Sequence, residues 1–354
     1  MNTASARIVV TGATGNIGTG VVRRLATDPR VRSVVGIARR RPETPRDGVT
    51  WIGADITEEP ALDRLFAGAD AVIHLACLFQ PAHRPEVTWR TNVLGSDRVF
   101  AAVARAGVPA LVHASSVVAY APGPKDRRVD ESWPTDGWPT APYCREKAYT
   151  ERLLDVFEHT NPGVRVVRLR PGIVIAADSA PQQRRLFAGP FLPARRPPRP
   201  LRVLPDLAGL TFQALHSDDA ADAFCRAALQ QVRGPFNIAA EPPVDPRLLA
   251  RLTGARLLTV PYRPLRAAVD AAWHLRLVPT SASMLDAVLT FPLMDTGRAR
   301  RELGWHPRHS AADAAARFLS GLRGSGGGDT PPLRRRLPGG GRLREAARGP
   351  GERQ

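Results

Sequence analysis

Short apolar runs alternate with amphipathic stretches through the first half of the chain. Ile8 to Thr11, Val34 to Ala38, Thr50 to Ile52, Ala71 to Ala76, Leu111 to Ser115 and Val164 to Leu169 are each bounded by Gly, Pro or polar residues, which predicts strands. Between them, Ile17, Val21, Val22 and Leu25 fall at i, i+4, i+5 and i+8, one apolar stripe on a helix that Pro29 brings to an end. Asn92 to Ala106 and Tyr143 to His159 predict longer helices. This alternation predicts an α/β fold with a doubly wound parallel sheet covered on both faces.

After Gly172 the pattern changes. Pro and Arg crowd Arg184 to Arg202, and irregular helices and short strands follow up to Leu303, as in a smaller C-terminal cap. Thr296 to Leu303 reads as a helix with Thr296 near its N-cap and Gly304 as its stop. The expected organisation is a sheet domain over 1–178, joined again by segments around 211–240, with a mainly substrate-binding cap over 179–322. Residues 323–354 form a basic tail whose glycine runs and Pro331-Pro332 carry too little apolar content to offset ordering entropy. That tail is expected to be disordered and dispensable for fold and cofactor binding.

Composition narrows the class. With 354 residues, 43% hydrophobic and 23% charged, the chain falls in the ordinary globular range and needs no disulfide or metal staple. Cys77, Cys144 and Cys225 are odd in number and form no C-x-x-C pair, which argues against a secreted disulfide framework or a zinc site and fits a reducing cytoplasm. The net charge of +17 invites a nucleic-acid reading, but Lys occurs only at 125 and 147 among 50 basic residues, beside 34 Pro and 30 Gly, which reads as GC-rich coding bias. Eight of the Arg lie between Arg323 and Gln354, and aromatics are only 6%, so a nucleic-acid partner is not expected. Leu265 to Val278, an apolar stretch, is interrupted by Arg266, Asp270, His274 and Arg276, so no membrane span is predicted. Arg7 leads straight into Ile8-Val9-Val10 with no signal-peptide pattern before it.

Two constellations carry chemistry. Thr11-Gly12-Ala13-Thr14-Gly15-Asn16-Ile17-Gly18 stands between the first strand and the first helix in a G-x-x-G-x-x-G spacing. Gly12 permits a tight turn, Gly15 lets backbone N–H groups approach a pyrophosphate at the helix N-terminus, and Gly18 lets the helix pack closely, the signature of a Rossmann-type dinucleotide site. The second is Tyr143-Cys144-Arg145-Glu146-Lys147, whose i, i+4 spacing puts Tyr143 and Lys147 on one helix face, with Ser115-Ser116 ending a strand upstream. A nearby ammonium is expected to lower the tyrosine pKa so that it exchanges a proton with a carbinol oxygen.

From about Arg7 to Ser320 the sequence resembles the extended short-chain dehydrogenase/reductase family, also called the NAD-dependent epimerase/dehydratase family. Besides these two constellations the resemblance rests on Asp55-Ile56, His74-Leu75-Ala76, Asn92-Val93-x-Gly95, Ser115-Ser116-x-x-x-Tyr120, Arg170-Pro171-Gly172, His216-Ser217-x-Asp219 and Leu303-Gly304-Trp305-x-Pro307. It implies that Ser116 hydrogen-bonds the substrate oxygen, Tyr143 is the acid/base and Lys147 also holds the nicotinamide ribose. Gly12, Thr14, Gly15, Asn16, Ile17, Gly18, Arg39, Asp55, Ile56, Leu75, Ala76, Asn92 and Pro171 complete the implied cofactor-binding set, with Asp55 and Ile56 along the adenine. Plainer readings stand beside these: Ser115 as a strand end, His74 as structural, Asn92 as a helix cap and Cys144 as inert.

An acidic residue at the end of the second strand binds the ribose 2′-hydroxyl of NAD, whereas an Arg accommodates the 2′-phosphate of NADP. Ala38 holds the acidic position and Arg39 follows, which favours NADP over NAD. Three departures bear on substrate. Sugar-nucleotide dehydratases of the family carry Asp-Glu after the active serine, where this chain has Val117-Val118, so dehydration is not expected. Sugar-nucleotide epimerases carry an Asn and an Arg for the diphosphate at positions that match Ile173 and Phe212 here. The favoured reading is an NAD(P)-dependent oxidoreductase acting on a carbonyl or secondary alcohol of a small, largely apolar molecule. An epimerase using transient oxidation and a non-catalytic dinucleotide sensor are the alternatives, and a second copy of the chain is a candidate partner.

Overall fold

Seven strands form one parallel sheet in the spatial order Gly234–Ile238, Arg165–Pro171, Ala110–Ala114, Ala71–His74, Ala6–Thr11, Val31–Ala38, Val49–Gly53. The coordinates are a computed structural model that describes residues 5–79, 83–187, 202–278 and 280–334. Strand Ala6–Thr11 has Val31–Ala38 on one side and Ala71–His74 on the other, so the winding reverses at its carboxyl end. A crevice opens at such a switch point, and Gly12 is the residue that enters it.

Period-two alternation explains why these runs are apolar throughout. Along the first strand Ile8 and Val10 enter one layer and Val9 the other; Ile73 and Val72, Val112 and Leu111, and Val167 and Val166 divide in the same way. Helices Gly18–Leu25, Ser217–Leu229 and Ala311–Ser320 cover the first layer, and Glu59–Phe66, Gly95–Arg105 and Pro142–Thr160 cover the second. Each fully buried Val, Leu or Ile contributes roughly 1.5–3 kcal/mol. Small residues set the spacing on the first face: a Cβ added to Gly20 would lie 2.9 Å from the Ala221 Cβ of the neighbouring helix.

The fourth strand stops at His74 rather than Ala76, because Leu75 and Ala76 turn across the backbone of Gly12. The stretch expected as one helix from Asn92 is a short helix Pro85–Trp89, a widened π turn Arg90–Leu94 and the helix Gly95–Arg105. Helix Pro142–Thr160 opens on a proline at its first position, where a missing N–H costs nothing.

The second half contributes both to the sheet and outside it. Gly234–Ile238 is the sheet's edge strand. Away from it, Val203–Asp206 pairs with Arg256–Thr259, and the helices Pro246–Thr253, Tyr262–His274 and Ala282–Thr290 follow one another. Thr296 stands at the N-cap of Gly297–Glu302, yet it is the Asp295 carboxylate that accepts the Gly297 N–H, and Gly304 takes φ +59° at the helix end. Part of the Pro/Arg-rich stretch, 188–201, lies outside the described residues, as does the tail from 335 on.

The tail departs from expectation at its start. Residues 321–334 are placed against the body rather than lacking fixed structure: Thr330 and Leu333 are buried, and Gly321 and Gly326 lie against Ala177. The glycines are the reason. Gly324 and Gly327 adopt φ +136° and +138°, a region essentially reserved for glycine, so the run makes tight turns instead of a free chain.

Candidate active site

The glycine-rich loop is shaped by close approach. Gly12 has φ +68°, and a Cβ there would meet Ala76 N at 2.6 Å; a Cβ at Gly18 would meet the Gly12 carbonyl oxygen at 2.3 Å. Gly15 closes the turn by donating its N–H to Gly12 O at 3.0 Å. Among the described residues no protein acceptor takes the N–H of Asn16, Ile17 or Gly18. Three consecutive unpaired donors at the start of helix Gly18–Leu25 form a cradle for an anion. The Asn16 side chain donates to Val174 O at 3.2 Å and so ties the loop to the chain beyond Pro171, which ends its strand buried and paired with Ile238.

Neighbouring residues extend the cradle along the sheet's carboxyl edge. Arg39 is exposed and makes no ion pair or hydrogen bond among the described residues. The Asp55 carboxylate accepts from the N–H and hydroxyl of Thr57, both at 2.9 Å, while Ile56 is buried against Gly95. Leu75 donates its N–H to Thr11 O. The residues present therefore fit a dinucleotide: orphan N–H groups for a pyrophosphate, glycines where a Cβ would intrude, and an unpaired Arg39 at the end of the second strand.

Ser116, Tyr143 and Lys147 come together because helix Pro142–Thr160 packs on the short 3₁₀ turn Val117–Ala119. Lys147, buried, donates from Nζ to Ala114 O at 2.7 Å, anchoring the helix to the strand end that carries Ser116. Ser116 Oγ accepts from the Val118 N–H at 3.3 Å. Tyr143 is half-buried, its ring 4.5 Å from that of Phe79, with Lys147 Nζ 6.0 Å from its centroid.

The expected lowering of the tyrosine is not found. Burial pushes the Tyr143 hydroxyl well above the usual phenol range, and the Cys77 thiol hydrogen-bonded to it adds to the effect. The Lys147 ammonium is directed to a backbone carbonyl instead. Cys144 is fully buried, which pushes its thiol to about 12.

Two buried glutamates escaped the sequence reading. Glu146 accepts from Thr88 Oγ1 and from Asn92 Nδ2, while Asn92 also brackets Leu78, accepting its N–H at 2.7 Å and donating to its carbonyl at 3.1 Å. Asn92 is thus no helix cap: it sits inside the π turn and holds the loop after His74 against the tyrosine helix. Glu151 accepts from Ser115 Oγ (2.6 Å), Arg168 Nη1 (3.0 Å), and Arg170 Nε and Nη2 (2.9 and 3.0 Å). Arg170 continues to Tyr120, whose hydroxyl donates to Asn237 Oδ1 at 2.7 Å. Burial pushes the Glu151 carboxyl up, but the two guanidiniums outweigh it and hold it at about 2. Tyr143, Lys147 and Glu151 recur every four residues on one helix face, but that spacing does not show that Glu151 is buried or what it pairs with.

His74 is a backbone support. Thr11 Oγ1 lies 2.7 Å from its Nδ1, and Ser96 Oγ, which donates to Asn92 O, lies 3.0 Å from its Nε2. Burial takes the ring down to about 3, so it is neutral, with Nε2 as donor and Nδ1 as acceptor. The His216-Ser217-x-Asp219 and Leu303-Gly304-Trp305-x-Pro307 segments lock one another: buried Trp305 donates to Asp219 O, and the Asp219 carboxylate accepts from the N–H of Arg308 and of His309.

Beside Ser116 and Tyr143 the surroundings are apolar. Val117, Val118, Ala141, Ala287, Phe291 and Met294 cluster with the partly buried Trp133, Trp138, Met284 and Val288. Ile173 and Phe212 pack against the main core, Ile173 in a strand beside Ala214–His216 and Phe212 in a bridge to Val244.

Residues 8–239 match the model of the NAD dependent epimerase/dehydratase family, and the chain belongs to that family. Its relatives include proteins named as a ketoreductase, an L-arabinose 1-dehydrogenase (NAD(P)(+)), a dTDP-glucose 4,6-dehydratase and a UDP-glucose 4-epimerase. An uncharacterized protein of Mycobacterium tuberculosis is 29% identical over 90% of this chain, which spans only 30% of that protein's length. A 4-hydroxy-2-methyl-3-oxo-4-farnesyl-3,4-dihydroquinoline-1-oxide ketoreductase of Stigmatella aurantiaca is 28% identical over 85% of this chain and 92% of its own. Among solved structures, the UDP-glucose 4-epimerase of Thermus thermophilus in complex with NAD superposes with a TM-score of 0.66 at 21% identity, covering 90% of this chain and 99% of that one, and shares the fold. No helix among the described residues is long and apolar enough to cross a membrane.

Proposed function

We propose that this chain is an NAD(P)-dependent oxidoreductase that interconverts a carbonyl and a secondary alcohol in a small, largely apolar molecule, with NADP preferred. The observation that carries the substrate class is the apolar cluster beside Ser116 and Tyr143. A diphosphate needs charge-assisted donors, and the two positions where the family's epimerases carry them are Ile173 and Phe212, both packed against the core. Likeness to a ketoreductase that matches this chain over nearly its whole length supports the same reading.

The bound dinucleotide supplies the hydride, exchanged at nicotinamide C4. The chain's own residues do the rest. The N–H groups of Asn16, Ile17 and Gly18 take the pyrophosphate, Arg39 the ribose 2′-phosphate, Asp55 and Ile56 border the adenine, and Lys147 orients the nicotinamide ribose. Gly12, Thr14, Gly15, Leu75, Ala76, Asn92 and Pro171 shape the walls. Ser116 Oγ hydrogen-bonds the reacting oxygen and Tyr143 moves its proton. Burial keeps the Tyr143 hydroxyl protonated, the form that donates to a carbonyl oxygen during reduction; the reverse reaction uses the same group as base. The described part of 202–322, apart from the segments around 211–240 and 311–320 that cover or extend the sheet, serves as the substrate side.

Thermal melts and nicotinamide absorbance with a panel of apolar ketones and nucleotide-sugars test this. NADP at 100 times its dissociation constant should add about 2.7 kcal/mol to stability, and an apolar ketone should consume NADPH. Turnover of a nucleotide-sugar without net cofactor consumption would replace the proposal by an epimerase, and a stronger shift with NAD than with NADP at equal concentration would remove the role given to Arg39.

A further inference from the structure

We propose that Gly326–Arg334 is a wall of the dinucleotide site, a strap that lies over the glycine-rich loop and strengthens binding of the cofactor's adenosine half. The segment is a built turn. Gly328 N–H donates to Leu333 O at 3.1 Å, and the N–H groups of Leu333 and Arg334 both donate to Thr330 O, at 2.9 and 3.0 Å. Leu333 is 3% exposed and Thr330 8%, so the turn is seated rather than draped. Its start is fixed where Gly321 and Gly326 abut Ala177, with no room for a side chain at either position.

Its contacts fall on the cofactor-binding elements. Thr330 donates from Oγ1 to the carbonyl of Thr14, inside the glycine-rich loop, at 2.8 Å. Arg334 pairs with Glu43 at 2.7 Å, two residues beyond the Arg39-Arg40-Arg41 run that ends the second strand. The strap thus joins the pyrophosphate loop to the segment that would meet the ribose.

A strap in this place could hold a dinucleotide or exclude it, and the hydrogen bonds decide in favour of holding. The loop group it uses is a carbonyl oxygen, which no phosphate needs. The N–H groups of Asn16, Ile17 and Gly18, which a pyrophosphate does need, are left without a protein acceptor. At the ribose edge Arg334 is held by Glu43, which pins the strap beside the Arg39 run and leaves the exposed Arg39 guanidinium for a 2′-phosphate. Cofactor and strap then stabilise each other, since ordering the strap over the loop lowers the entropy cost of closing the site.

The inference rests on the glycine-loop reading, and the experiment separates the two. Full-length protein is digested with trypsin, which cuts after Arg323 and Arg334, with and without NADP or adenosine 2′,5′-bisphosphate, the latter lacking the nicotinamide. Both ligands should slow cleavage in the strap. Titration calorimetry on Thr330→Val and Arg334→Ala should show affinity for the bisphosphate reduced about tenfold, the scale of one lost hydrogen bond or charged contact. A chain ending at Ser325 should lose at least as much. Faster cleavage with ligand, or tighter binding after truncation, would make the strap a competitor and overturn the proposal. Unchanged cleavage and unchanged affinity in both point variants would overturn it as well, even if the truncated chain failed to fold. Absence of any dinucleotide binding to the full-length protein would instead defeat the glycine-loop reading itself.

Discussion

The proposed dinucleotide end of the site and the proposed substrate end are made from different kinds of chain. The first is built almost wholly from backbone on the continuous elements of the parallel sheet: a glycine turn, three N–H groups and the ends of adjacent strands. The second is assembled from side chains far apart in sequence, with Val117, Trp138, Met284 and Phe291 meeting in one apolar cluster. Backbone recognition is tied to local geometry and tolerates little change, whereas a side-chain pocket can be rewritten residue by residue. One helix, Pro142–Thr160, spans both, with Tyr143 beside the apolar cluster, Lys147 toward the strand end and Glu151 in the buried network.

That division can be broken most sharply at the helix. Tyr143→Phe keeps the ring and removes the oxygen that moves the proton, so turnover should fall roughly 10²–10⁴-fold while the dinucleotide-induced melt shift persists. Lys147→Ala should weaken both. Near-normal turnover by Tyr143→Phe on a substrate found in the panel would make the tyrosine structural.

Glu151→Gln comes next. It would leave Arg168 and Arg170, both nearly fully buried, with reduced countercharge, and breaking a buried pair costs about 3–5 kcal/mol. Because Glu151 leads through Ser115 to the substrate end and through Arg170 to Tyr120 and Asn237, urea titration should show the loss while the folded fraction still binds NADP. Stability within 1 kcal/mol of the parent would mean that the Glu151 pairs do not hold the fold together.

The smallest expected effect tests the sheet interior common to both ends. Burial lowers His74 to about 3 and also lowers His113, neither of whose ring nitrogens has a hydrogen-bond partner. Below pH 6.5 the unfolded imidazoles take up protons that the folded ones refuse, so folding is opposed progressively as pH falls. For His74 the cost should be about 1 kcal/mol between pH 6.5 and 5.5, and His113 adds to it in the same direction. His113→Leu should flatten that slope without altering the NADP shift, and an unchanged slope would exclude His113 as one of its sources.

The glycine turn after the first strand and the placing of Tyr143 and Lys147 on one helix are legible in the sequence because their signals are local. The glycine spacing, the strand ends and the Tyr143/Lys147 pair each lie within one turn or one helix face. Glu146 and Glu151 were not read as part of the site, because a carboxylate on an amphipathic helix looks like solvated surface until its partners arrive, from the Thr88–Asn92 region and from the strand Arg165–Pro171. The sign of the Tyr143 shift is not legible for a related reason: spacing shows that an ammonium is near but not that it faces a carbonyl while Phe79 packs on the ring and Cys77 lies at the hydroxyl.

By itself, then, the sequence determined the parallel sheet, the position of the glycine turn at its switch point and the helix that carries Tyr143 and Lys147, because hydrophobic period and glycine sterics act over a few residues. Tertiary structure alone decided which charges are buried together, which way Lys147 points and where the glycine-rich segment after Arg323 goes. Composition marks that segment as too poor in apolar residues to order itself, and this holds for the isolated chain. What changes the outcome is a contact 316 residues away in sequence, Thr330 on Thr14, and the burial of Leu333, which supply from the rest of the fold what the segment lacks.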